Sequence, residues 1–152
     1  YRSGETFTKS GLIPPKADKE TTYTVNWILT NTTNDLKNAV VRASLPAGVE
    51  WKGETSPGSE KVTYDPSTKV VTWDVGNVSA GSGFVSSPKQ VYFKVGLIPS
   101  INQIGSSPPI VSQANVLSTD VYTEKQIETS ARPTSTTYSD PAFVNGNETV
   151  VQ

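Results

Sequence analysis

Between Thr21 and Asn31 the chain reads TTYTVNWILTN, and its apolar side chains fall on every second residue. Tyr23, Val25, Trp27 and Leu29 share one side, while Thr22, Thr24, Asn26 and Thr30 share the other. A period of two belongs to an extended strand with one buried face, because successive side chains leave a pleated backbone in opposite directions. The pattern recurs in NAVVRASL (Ala39, Val41, Ala43, Leu45), EKVTY (Val62, Tyr64), KVVTWDV (Val71, Trp73, Val75) and KQVYFKVGL (Val91, Phe93, Val95, Leu97). Ile110–Leu117 and Lys125–Ala131 are further candidates, followed by a weaker one at Pro133–Tyr138. No window keeps the i, i+3, i+4, i+7 spacing of an amphipathic helix, so almost no helix is expected.

The separators carry turn chemistry. Asp65-Pro66-Ser67-Thr68 stands between two alternating runs, with Pro presetting its backbone angle and Asp able to accept from the chain ahead. Pro46-Ala47-Gly48 and the run GNVSAGSG from Gly76 to Gly83 read as further corners. Roughly seven to nine short strands at spacings near ten residues indicate an antiparallel sandwich or barrel. The sandwich is favoured because each strong strand has one apolar and one polar face. A length of 152 residues suits a single domain. We assign residues 1–16 to an extended N-terminal segment, 17–138 to the sandwich and 139–152 to a C-terminal tail or edge strand. In the N-terminal segment only Glu5–Lys9 reads as a strand, with Phe7 inward, before Pro14-Pro15 ends it. The expected core is Val25, Trp27, Leu29, Val41, Val71, Trp73, Phe93 and Val95; Tyr92, out of phase with its neighbours, is expected to be exposed.

Composition removes whole classes of function. Net charge is −1 and the isoelectric point is near 5.4, so there is no basic footprint for nucleic acid and no polybasic membrane patch. No apolar run reaches the ~18 residues of a membrane-spanning helix. With no Cys and no His, Ser-His and Cys-His nucleophiles, zinc sites of the usual ligands and thiol redox chemistry have no residues to work with. The chain begins at Tyr1, which is read as a processed product or excised segment.

The stretch YTVNWILTNTTNDLKNAVVRASLPAGVEW, followed by TYDPSTKVVTWDVGNVSAG, resembles the immunoglobulin-like repeat of unknown function found, often in tandem, on bacterial and archaeal surface proteins. The carriers are a strand ending in Thr-Asn, a second strand running into Leu-Pro-x-Gly, and a Trp strand running into Gly-x-Val-x-Ala-Gly, over about Thr21–Leu97. QVYFKVGLIPSINQIG and YSDPAFVNGNETVVQ are similar to extended versions of the domain in predicted surface proteins of uncultivated bacteria. The resemblance implies an all-β, immunoglobulin-like antiparallel β-sandwich, here with extra C-terminal strands. It also implies a non-catalytic, outward-facing module, and it supplies no catalytic residues.

Each chemical candidate has a structural counterpart. Glu50, Glu54 and Glu60 are the carboxylates closest to a glycosidase-like pair, but they flank a Gly-, Pro- and Ser-rich corner where acids are usually solvated. Asn31, Asn34 and Asp35, or Asp140 with Asn145, Asn147 and Glu148, offer hard oxygens for calcium. Neither run has the alternate spacing of a calcium loop, and Asn and Asp form turns by bonding their own backbone. Trp27, Trp51 and Trp73 lie in phase with apolar neighbours, which argues against a sugar-stacking platform. Sequons at Asn31, Asn77 and Asn147 number three, where nine Asn and 37 Ser or Thr in 152 residues predict about two by chance. Related surface sandwiches carry Lys-Asn or Lys-Asp cross-links, but Lys94 lies on the polar phase of its strand.

No catalytic, cofactor-binding or metal residue is therefore assigned, and the chain is not expected to be an enzyme. The expected function is that of an extracellular or cell-surface structural module for spacing, adhesion or assembly. Its expected partners are other copies of itself or neighbouring surface domains, with terminal strand exchange into a filament or tandem array as the route. The alternative is a glycan- or calcium-binding surface module.

Overall fold

The computed structural model describes residues 7–131, 133–135 and 144–152. Ten strands form among these residues: β1 (Thr21–Leu29), β2 (Leu36–Ser44), β3 (Val49–Ser56), β4 (Lys61–Asp65), β5 (Val70–Val78), β6 (Lys89–Leu97), β7 (Pro109–Val111), β8 (Ala114–Asp120), β9 (Gln126–Ala131) and β10 (Thr134–Ser135). The only helical element among them is a three-residue 3-10 turn at Ile101–Gln103.

Two antiparallel sheets face each other, one ordered β1-β6-β3 and the other β4-β5-β2-β8-β9, while β7 and β10 make a short separate ribbon. β1 pairs with β6 without a bulge from Thr21 opposite Leu97 to Leu29 opposite Lys89. The in-phase residues of β1 and β6 and those of β2 and β5 meet between the sheets: Tyr23, Val25, Phe93, Val95 and Leu97 against Val41, Ala43, Val71 and Trp73. Trp73 is completely buried and gives its indole N–H to Glu60 Oε2 at 2.8 Å, so the ring is apolar inside and satisfied at its one polar atom. Trp51 stacks on Tyr64 with centroids 5.5 Å apart, and Trp27 meets Phe93 edge to face at 4.9 Å. Burying a large side chain of this kind contributes about 2–3 kcal/mol. The molecule is a two-sheet antiparallel β-sandwich, as its alternation and turns predicted.

The turns behave as their residues dictate. Asp65 Oδ1 accepts from the Ser67 N–H at 2.9 Å and from its hydroxyl at 2.7 Å, closing the β4–β5 hairpin. Gly48 has φ +83°, and a Cβ there would sit 2.9 Å from the Ile98 carbonyl oxygen, which accepts no such neighbour.

Several expectations need correction. No strand is assigned from the sequence between the Pro46-Ala47-Gly48 corner and EKVTY, yet β3 forms there. It forms an edge strand whose register with β6 shifts between Trp51 and Thr55, where Gly53 takes φ +77°, so its alternation is broken. Residues 7–9 form no strand, and Glu5 lies outside the described residues; Ser10 and Leu12 are instead tied to Thr22 and Thr21, and Phe7 is partly buried. Trp27 and Leu29 are half-buried, because β1 is an edge strand there. Tyr92 is also half-buried, its hydroxyl accepting from Gln90 Nε2 at 2.6 Å.

The C-terminal residues are woven in. Val151 accepts from the Ala17 N–H at 2.8 Å and donates to Pro15 O at 2.9 Å. Val150 donates to Ser106 O and accepts from the Gly105 N–H, both at 2.9 Å. Two parallel bridges, Lys16 with Val151 and Ile104 with Val150, therefore clip the last residues between the N-terminal segment and the loop after β6.

Candidate functional site

The asparagine run is a corner of the fold. Asn31 is buried, and its side-chain amide donates to Asn34 O at 2.6 Å and Val78 O at 3.3 Å. Its backbone is held too, donating to Ser82 O and accepting from the Gly81 N–H. Asn34 gives its amide to Asp120 Oδ2 at 3.0 Å, and Asp35 Oδ1 accepts from the Ala80 N–H at 2.7 Å. Asp120 Oδ1 takes the N–H groups of Tyr122 at 2.8 Å and Thr123 at 3.0 Å. The Thr123 N–H first, then the Asn34 amide and the Tyr122 N–H, hold the Asp120 carboxyl below the ordinary aspartate range, while burial pulls the other way. These oxygens point at N–H donors, and the asparagines present donors inward. A cation would need the opposite arrangement. No group of three or more acidic side chains able to hold a metal forms among the described residues. Sequence reading found Asn31, Asn34 and Asp35 but missed Asp120, 85 or more positions away, which only the β2–β8 pairing brings to the same corner.

The other candidates are equally dispersed. Glu54 pairs with Lys94 at 2.8 Å on the solvent face of the three-stranded sheet, which also uses the one lysine considered for a cross-link. Glu50 lies 3.5 Å from Lys52, whose nearer partner is Glu20. Glu60 serves the Trp73 indole. These three carboxylates therefore face different partners and make no catalytic pair. Glu148 accepts from the Gly146 N–H, and Asp140, its proposed companion, lies outside the described residues.

One apolar-lined concavity was not anticipated. A cleft of about 330 Å³ opens along the side of the sandwich where β1 is the edge of its sheet. Asn26, Trp27, Ile28 and Leu29 line one wall and Ala114, Val116 and Ala131 another, with Val41 and Trp73 at the base. β9 has no buried residue, so the five-stranded sheet extends past β1 with nothing described lying over its last strand. The edge itself is open. Thr22 gives its N–H to Ser10 O, which shows that the backbone groups of Thr22 face away from β6; by the two-residue repeat those of Thr24, Asn26 and Ile28 do so as well. Among the described residues no backbone group meets these three.

No protein-family model matches the chain, and no curated protein sequence does. Among solved structures it is similar to a variant of BcpA, the major pilin subunit of Bacillus cereus, with 14% identity over 81% of this chain and 36% of that one and a TM-score of 0.49. Domains D2 and D3 of the major pilin SpaD from Corynebacterium diphtheriae share 14% identity over 79% of this chain and 47% of theirs, with a TM-score of 0.43. Full-length SpaD gives 14%, 79%, 31% and 0.44 for the same measures. The chain thus spans 31–47% of the length of the chains it matches in these structures.

Large apolar side chains are also left in solvent at the two ends of the sandwich. At the asparagine end these are Phe84, Val85, Val121 and Tyr122, with Val85 at 91% and Tyr122 at 86% exposure. At the end holding the chain termini they are Leu12, Ile98, Ile101 and Ile104, led by Ile101 at 66%. No helix of the described residues is long and apolar enough to cross a membrane.

Proposed function

We propose that the chain is a non-catalytic structural module of an extracellular or cell-surface assembly, in which copies contact one another end to end. The observation that carries this reading is the placement of exposed apolar side chains. Phe84, Val85, Val121 and Tyr122 cap one end, and Leu12, Ile98, Ile101 and Ile104 cap the other. Such side chains gathered in patches mark contact surfaces. Two different patches at opposite ends favour a head-to-tail contact, which repeats without closing and so builds a spacer or filament. Among the described residues, Asn31, Asn34, Asp35 and Glu148 are engaged in turn contacts, and Glu50 and Glu54 in separate ion pairs.

Sedimentation velocity over a wide concentration range tests this. Mass should grow with concentration, and the double variant Phe84→Ser/Tyr122→Ser should suppress that growth while leaving the melting temperature unchanged. A wild-type chain that stays monomeric at high concentration would overturn the proposal.

A further inference from the structure

We infer that the clip around Val150 and Val151 is a shear clamp, through which tension drawing the N-terminal segment and the last residues apart passes without loading either sheet. The inference gives the structural module proposed above a tension-bearing role, and in that respect it rests on that reading. The clamp itself is a property of a single copy.

The direction of the pairing carries the inference. Lys16 and Val151 make a parallel bridge, in which the Val151 N–H donates to Pro15 O at 2.9 Å and the Ala17 N–H donates to Val151 O at 2.8 Å. Two parallel neighbours, one drawn from its start and the other from its end, are pulled in opposite directions along a shared axis. Hydrogen bonds between extended segments run across that axis. They are therefore loaded side by side and yield together. An antiparallel pair drawn from the same two points would instead open from one end, one bond at a time.

Both partners are fixed to the body of the molecule as well. Val150 donates to Ser106 O and accepts from the Gly105 N–H, both at 2.9 Å, beside a second parallel bridge with Ile104. Its side chain is 1% exposed, so sliding the last residues along their axis must also draw a valine out of its site. The facing segment is held by the Asp18 N–H, which donates to Pro99 O at 2.8 Å, and by the Thr21 hydroxyl, which donates to Leu12 O at 2.9 Å. Four backbone hydrogen bonds of Val150 and Val151 and one buried side chain thus oppose a single displacement. The direct route from residue 12 to residue 152 runs through residues 15–17 and Val151, which belong to neither sheet. Tension on that route leaves the β1–β6 and β2–β5 ladders unloaded until the clip gives way. Forced opening is governed by the rate of rupture, so the arrangement of the bonds matters more than their summed stability.

The chain has no cysteine, so two introduced thiols define where force enters in optical-tweezers measurements on one copy. Leu12→Cys/Gln152→Cys loads the clip in shear, because residue 12 lies ahead of the pairing. Lys19→Cys/Gln152→Cys loads it from the Ala17 side, where force meets the Ala17–Val151 bond first and the others in turn. Residues 12 and 19 are both exposed and lie close together on one segment, so a difference between the two variants reports direction across the clip and not the stability of the sandwich. The force of first rupture should be higher in shear by about twofold or more, since bonds of similar strength share the load instead of meeting it singly. Equal forces overturn the inference. Ala17→Pro, which deletes one donor of the pairing, should bring the shear force down towards the peeling value, and a shear force left unchanged by it overturns the inference too. Each measurement holds one copy, so a chain that stays monomeric in sedimentation defeats the end-to-end reading alone, and equal rupture forces defeat the clamp alone.

Discussion

Val150 offers a measurable handle on how the chain's last residues are held. It is 1% exposed, and with Val151 it takes part in four backbone hydrogen bonds, to Ser106, Gly105, Pro15 and Ala17. At a net ~1 kcal/mol each these bonds contribute about 4 kcal/mol. Burial of the valine side chain adds about 1.5–2 kcal/mol. Ordering the two residues costs about 1–2 kcal/mol each. The clip is thus worth roughly 2–4 kcal/mol, a small margin. Val150→Ala removes two methyl groups, about 1.6 kcal/mol of transfer, and leaves a cavity that brings the loss to about 2–3 kcal/mol. The clip would then sit near the balance point between docked and released.

Two observables follow from that position. Native-state hydrogen exchange at the amides of Ala17, Gly105, Val150 and Val151 should accelerate by roughly 30- to 100-fold, because each 1.4 kcal/mol is a factor of ten. The melting temperature should fall by about 4–12 °C, at 2–4 °C per kcal/mol for a chain of this size. Val151→Ala, at a half-exposed position, should do much less on both counts. If Val150→Ala left the four amides as protected as before, the side chain would not be what holds the clip, and the reasoning from its burial would be wrong.

Two further outcomes test the interior and the corner. Glu60→Ala strands the buried Trp73 indole N–H and should cost about 1–3 kcal/mol by chemical denaturation, whereas Glu60→Gln, which keeps an acceptor oxygen, should recover most of it. Asp120 has a carboxyl held below its ordinary value in the folded chain, so its contribution is fully present above the unfolded value of 3.8 and is lost as pH falls through the lower folded value. Protection of the Tyr122 and Thr123 amides, relative to their intrinsic exchange rates, should therefore fall on acidification below about pH 4, and Asp120→Asn should remove that acid dependence, as followed by NMR.

The legible parts of the sequence were those where one local rule acts alone. β1, β2, β5 and β6 each pack one face against the opposite sheet, so alternation identified them directly. β3 escaped because its ladder is bulged at Gly53 and only Val49 and Trp51 turn inward before the register slips. The asparagine run was readable as turn chemistry, yet its closing member Asp120 was not, since nothing local links position 34 to position 120. Trp27 and Leu29 show a different failure. Their phase is that of core residues, and they do face inward, but phase says nothing about whether a strand is central or at an edge. The cleft came from the strand order β1-β6-β3 against β4-β5-β2-β8-β9, a property of pairing that no window of sequence contains.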